Sequence, residues 1–157
     1  MQFHPGLIDG VIWRPLRKFH DPRGWLCELF RLDELEPVFH PAMAYLSESL
    51  PGVTRGPHEH VEQTDCFCFL GPGNFKVVLW DNRPDSRTYR ATVSDVVGQD
   101  KPMLVVIPPG VVHAYTNLGP APGLVFNSPN RLYKGPGRQQ PVDEVRHEDD
   151  PHSPFHL

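Results

Sequence analysis

Nineteen prolines and thirteen glycines punctuate a chain of 157 residues. A proline inside a helix removes a backbone donor and clashes with the preceding turn, and a glycine there costs about 1 kcal/mol relative to alanine. Long helices are therefore disfavoured, and short strands joined by turns are expected. The apolar segments agree. Residues 65–70, 74–81, 103–108, 111–117 and 124–128 are short runs rich in β-branched and aromatic residues, and 43–49 and 88–96 alternate in polarity. Residues 10–16 make an early strand candidate interrupted by Pro15. A turn over Asp21–Trp25 leads into an alternating segment at 26–32, and 32–41 predicts a short helix. Turn signals at Pro51-Gly52, Gly71–Gly73, Asp81–Ser86, Pro108–Gly110 and 118–123 separate the strands at intervals of roughly 8–12 residues, the pattern of an all-β sandwich or small barrel.

The length suits one domain, 1–157, with a sizeable core. From about residue 134 the chain becomes polar and turn-rich, with acids clustered between Asp143 and Asp150. The expectation for 134–157 is a solvated acidic tail packed loosely over the barrel rather than a lid.

A formal charge of −4 with no long basic run excludes a broad nucleic-acid-binding patch. No apolar run approaches the roughly 18–20 residues that span a membrane, and the first residues lack the form of a signal peptide. A cytoplasmic location without membrane contact is the expectation. Of three cysteines, Cys66 and Cys68 alternate inside an apolar run and read as small core residues.

Nine histidines are present. His4, His20, His40, His147, His152 and His156 lie in polar or proline-flanked contexts and read as surface residues. His58 and His60 stand two apart, so on a strand they share a face. His113 follows the Pro108–Gly110 turn by three residues. Two histidine-bearing strands facing each other inside a barrel mouth would converge on one ligand. Three neutral imidazoles plus one carboxylate suit zinc, iron, manganese or nickel, with Asp65, Glu62 and Gln63 near enough to complete the set.

His-x-His followed by an acid, then Pro108, Gly110, His113 and Asn117, resembles the two motifs of the cupin superfamily. That resemblance implies a double-stranded β-helix, or jelly-roll, barrel with short peripheral helices. Four ordered blocks, Asp21–Arg31, Ser47–His58, Leu79–Tyr89 and Ile107–Tyr115, resemble the dTDP-4-dehydrorhamnose 3,5-epimerase family. This resemblance implies a homodimeric, metal-free isomerase of polysaccharide biosynthesis acting on a dTDP-4-keto-6-deoxy sugar. The keto group acidifies the neighbouring C–H bonds, a histidine removes a proton, and a tyrosine on the opposite face returns one. By the same resemblance, His58 matches the base. Arg23, Glu28, Arg55 and His113 match residues around the nucleotide and sugar.

The chain departs from the family in three places. Phe126 stands about where the acid tyrosine belongs, leaving Tyr133, Tyr115 or water to return the proton. No lysine follows His58 before Gly71. The family's C-terminal aspartate, which orients the base, has no aligned counterpart, with Asp149 or Asp150 as substitutes. His60 stands where the family often has glutamine. Three readings follow: a sugar-nucleotide isomerase using His58 and Tyr133, a metal-dependent cupin using His58, His60, His113 and Asp65, or a non-catalytic sugar-nucleotide-binding relative.

Overall fold

The computed structural model describes residues 2–157. Thirteen strands run in chain order: β1 (His4–Pro5), β2 (Ile12–Pro15), β3 (Lys18–Asp21), β4 (Gly24–Cys27), β5 (Tyr45–Ser49), β6 (Thr54–Glu59), β7 (Asp65–Phe69), β8 (Asn74–Asp81), β9 (Ala91–Gly98), β10 (Met103–Ile107), β11 (Val111–Asn117), β12 (Gly123–Asn127) and β13 (Val145–Arg146). One sheet has the order β1-β9-β8-β11-β6-β13 and the other β2-β10-β7-β12-β5. From β5 to β13 successive strands fall into alternate sheets, except for the β8–β9 hairpin within the larger one, which gives the jelly-roll barrel that the cupin resemblance implies. The hairpin β3–β4 pairs with neither sheet.

Side-chain alternation sorts the core into three layers. Phe67, Phe69, Phe75, Val77, Leu79, Val105, Val111, Tyr115 and Val125 point inward and fill the barrel. Cys66, Cys68, Leu104 and Val106 point outward, under Ile12, Leu29, Phe39 and Phe126. Val78, Trp80, Val112 and Ala114 cover the outer face of the larger sheet and receive Phe155 from the tail. Segments buried on both faces, such as 65–69 and 103–107, consequently read as continuous apolar runs.

Several expectations need correction. The helix expected over 32–41 is two single 3₁₀ turns, Leu32–Glu34 and Pro37–Phe39, because Pro37 and Pro41 leave no room for a longer one. The strand candidate at 26–32 ends at Cys27, and that at 88–96 begins at Ala91, after a turn. The tail is not loose. The Asp143 carboxylate accepts from the backbone N–H groups of Val61, Glu62 and Gln63. β13 pairs with β6, and Phe155 packs on Trp80 and Phe3. His147 is likewise no surface residue: it pairs with the Glu59 carboxylate at 2.9 Å and stacks on Phe155. Among the described residues no helix is long and apolar enough to cross a membrane.

The turn after β8 is held by Asp81, whose side chain is fully buried. Its carboxylate accepts from the Arg83 guanidinium at 2.8 and 2.9 Å and from Ser86 and Thr88 hydroxyls at 2.6 Å. Burial alone would raise this carboxyl, but those donors outweigh it and hold it at about 2. A carboxylate depressed in the folded state stabilises above its unfolded value near 3.8 and loses that contribution as pH falls toward 2. Asp81→Asn is expected to cost about 2–3 kcal/mol at pH 7 and to flatten the acid limb between pH 4 and 2. Thermal melts across that range check both parts.

Candidate functional site

A bulge in β6 shapes the site. β11 pairs with β6 through His113↔His58 and then Tyr115↔Arg55, so β6 carries one extra residue, at Gly56-Pro57. In a regular strand, residues 55 and 58 would face opposite sides of the sheet. The bulge turns Arg55 and His58 to the same side, into the barrel. Gly56 has φ of +82°, and a Cβ there would run into the His113 carbonyl oxygen. Only glycine fits that bulge.

His58, His60 and His113 converge at the open end of the barrel. The ring centroids of His58 and His113 are 4.4 Å apart, and those of His60 lie 5.7 and 5.8 Å from the other two. Their ligating nitrogens all lie within 4.8 Å of one another. His58 and His60 open onto a cavity of about 1380 Å³ that Tyr45, Arg55, Tyr133, Lys134 and Glu144 also line, and His113 lies buried behind them.

Asp65 sits on the floor of this cluster. Its Oδ2 faces His60 Nε2 at 3.0 Å and His113 Nε2 at 3.3 Å. Its Oδ1 accepts from Gln63 Nε2 at 3.0 Å and Asn127 Nδ2 at 2.8 Å. The opposite nitrogens of the two imidazoles are held by carbonyls, His113 Nδ1 by Val111 and His60 Nδ1 by Asp143. A carbonyl only accepts, so both Nδ1 atoms carry hydrogen and both Nε2 atoms face the carboxylate. A proton on an imidazole or a metal ion would offset the carboxylate charge there, and the Gln63 amide nitrogen is a further neighbour of His60 Nε2 at 3.1 Å.

The protonation pattern follows. Burial would lift the Asp65 carboxyl, but His113 and His60 hold it well below the usual carboxylate range. Burial would likewise lower His60, yet Asp65 and the Asp143 carbonyl raise it to about 9. His58 has no such partner. Burial, followed by repulsion from His113 and His60, brings it down to about 2. These surroundings favour the neutral imidazole of His58, whose Nδ1 meets no partner among the described residues. Glu144 of the tail stands 3.9 Å from its Nε2 and supplies the counter-charge for a proton taken up there.

A divalent ion also fits these residues. Among the described residues, His58 Nδ1, His113 Nε2 and Asp65 Oδ2 are buried and meet no well-aligned hydrogen-bond partner, Asp65 Oδ2 facing the two imidazoles only as an ion pair. Imidazoles whose Nδ1–H is tied to a carbonyl are oriented as metal ligands usually are.

The structure gathers His58, His60, Arg55 and Tyr133 around one cavity, with His113 and Asp65 buried behind the two histidines. It does not bring Arg23 or Glu28 there. Both are exposed on or beside the β3–β4 hairpin, where Arg23 pairs with Asp21. Asp149 and Asp150 are also exposed, and Glu144 occupies the place beside His58 instead. Phe126 does not face the cavity: it packs outward with Cys66 and Cys68, and its inward neighbour on β12 is Asn127. The spacing argument that set a phenylalanine in place of a catalytic acid thus fails, because β12 turns that side chain to the other face. Tyr45, Asn127, Asp143 and Glu144 are residues the sequence reading missed. Only the alternation in 43–49, with Tyr45, Ser47 and Ser49 on one side, could have pointed to the first.

A jelly-roll barrel with imidazoles, a carboxylate and arginine at its open end defines a cupin-type small-molecule site. The chain belongs to the dTDP-4-dehydrorhamnose 3,5-epimerase family, whose sequence model matches residues 6–141. It is 43% identical over 116 residues, 74% of this chain and 76% of the relative, to the spore coat polysaccharide biosynthesis protein SpsL of Bacillus subtilis. It is 36% identical over 127 residues to the probable low-salt glycan biosynthesis epimerase Agl13 of Haloferax volcanii, covering 80% of this chain and 81% of that protein. The crystal structure of a dTDP sugar isomerase from Desulfovibrio desulfuricans superposes with a TM-score of 0.79 at 30% identity, covering 95% of this chain and 91% of the other.

Proposed function

We propose that this protein epimerises a dTDP-4-keto-6-deoxyhexose, with His58 as the base that removes a proton beside the keto group. The observation that carries this reading is the pairing of a neutral, buried His58 with Arg55 on one inward face. The base has a lone pair available without prior deprotonation, and its basicity toward a substrate proton depends on the carboxylate beside it. Glu144 offsets the charge that develops on the imidazole. Arg55, anchored by Ser49 Oγ and the Glu48 carbonyl, is poised to stabilise an enolate oxygen. Arg131, Lys134 and Arg146 line the same cavity and suit a diphosphate. A homodimer would cover the exposed Phe19, Trp25 and Leu26 of the β3–β4 hairpin, which also carries Arg23. A cytoplasmic location fits a nucleotide-activated substrate. The test is turnover of dTDP-4-keto-6-deoxyglucose, trapped by borohydride and analysed as sugars. New epimers are expected, and recovery of the starting configuration alone contradicts the reading.

One observation favours a second reading, a metal site: the three buried polar atoms around Asp65 that meet no well-aligned hydrogen-bond partner. His58, His60, His113 and Asp65 would hold zinc, iron, manganese or nickel, which would supply Lewis-acid chemistry. Elemental analysis of the purified protein and of its dialysed, metal-challenged form decides between the two. The epimerase reading predicts less than about 0.1 equivalent of any of these metals bound. Close to one equivalent, lost in His60→Asn, would establish the metal site.

A further inference from the structure

Inversion at carbon needs a proton donor on the face opposite the base, and this inference rests on the epimerase reading above. We propose that Tyr45 is that donor. β5 belongs to the smaller sheet and β6 to the larger, so Tyr45 and His58 line one cavity from opposing walls. On β5 the inward residues are Tyr45, Ser47 and Ser49, while Leu46 and Glu48 face out.

The hydrogen bonds fix which way the phenol hydrogen points. Asn127 Oδ1 accepts from the Cys66 backbone N–H at 3.0 Å, so the amide nitrogen must lie on the other side. Asn127 Nδ2 then gives one hydrogen to Asp65 Oδ1 at 2.8 Å and the other to Tyr45 Oη at 2.9 Å. Tyr45 accepts there, and its own hydrogen has no acceptor among the described residues. That hydrogen is available to the cavity. Burial pushes the phenol up to about 12, so it remains protonated until a strong base, such as an enolate carbon, takes the proton.

The other two tyrosines that line the cavity are placed less well. Tyr115 is buried among Phe67, Phe69 and Phe75, and its hydroxyl is shared with Ser47 at 3.1 Å. Tyr133 stands on the mouth loop, 53% exposed against 42% for Tyr45, and among the described residues no hydrogen bond fixes its hydroxyl.

The step balances. His58 takes the proton from carbon, and the C–H bonding pair becomes the enolate. The enolate carbon then takes the Tyr45 proton on its other face. The phenolate left behind is held by the Asn127 N–H until solvent reprotonates it at the cavity mouth, and His58 returns its proton to water.

The experiment compares wild-type protein, Tyr45→Phe and Tyr133→Phe with dTDP-4-keto-6-deoxyglucose in deuterated water. It follows deuterium entry and stereochemistry at C3 and C5 separately, with thermal melts to confirm folding. Tyr45→Phe is expected to keep exchange within about tenfold of wild type, because His58 still removes and returns the proton. Its inverted product should fall by about a hundredfold or more. Undiminished inversion in Tyr45→Phe overturns the proposal, as does equal loss of exchange and inversion in a folded variant. Loss of inversion in Tyr133→Phe alone moves the donor to the mouth loop and also overturns it. If the wild type exchanges no deuterium, the epimerase reading itself falls, a failure distinct from these.

Discussion

His58→Asn is expected to lower proton abstraction from the sugar by about 10²–10⁴-fold while leaving the fold intact. The replacement is close in size and keeps a polar group at the position, so the packing of β6 changes little. What it loses is the lone pair of a neutral imidazole that burial and two neighbouring imidazoles keep unprotonated. Neither neighbour can stand in. His60 is held protonated by Asp65, and His113 directs its Nε2 at the same carboxylate. Solvent exchange at C3 and C5, read by NMR alongside a thermal melt, is the measurement. An activity within threefold of wild type, in a folded variant, would remove His58 as the base.

The largest expected effect on stability comes from Asp65→Asn. This carboxylate is fully buried and touches four side chains: His60, His113, Gln63 and Asn127. Its charge balances the imidazole positive charge on His60, and removing one partner of a buried pair leaves the other uncompensated. Such losses cost about 3–5 kcal/mol. The amide also brings an N–H₂ group to where two imidazole nitrogens and two amide donors already point. For a domain of this size, each kcal/mol lowers Tm by about 2–4 °C, so a drop of about 10 °C is expected. Scanning calorimetry at pH 7 checks it, and a drop below about 3 °C would mean that the cluster is not held by this charge.

Much of this architecture is visible in the residues, and the rest is hidden for identifiable reasons. The strands from 65 to 127 follow from apolar runs between proline–glycine turns, and the i, i+2 spacing of His58 and His60 states their shared face directly. The Pro108–Gly110 turn delivers His113 to the same place. Arg55 was legible only by its family resemblance, because a bulge at Gly56-Pro57 breaks the strand period that would otherwise send it outward. Phe126 misled for the opposite reason: spacing along the chain carries no information about which face a strand presents. Asp143 and Glu144 reach the site through pairing of β13 with β6, more than eighty residues away in sequence. No local pattern in an acidic, turn-rich segment reveals such a contact. Tyr45 acquires its role through Asn127, and that dependence exists only once β5 and β12 are paired.

The central claim is that this cavity removes a proton from the carbon beside a keto group. Incubation of the wild-type protein, stripped of metals by chelation, with dTDP-4-keto-6-deoxyglucose in deuterated water tests it most directly. The account predicts deuterium at C3, C5 or both, at a rate far above the protein-free control and unaffected by chelation. No incorporation above that control, or incorporation that returns only when a divalent metal is restored, would contradict it.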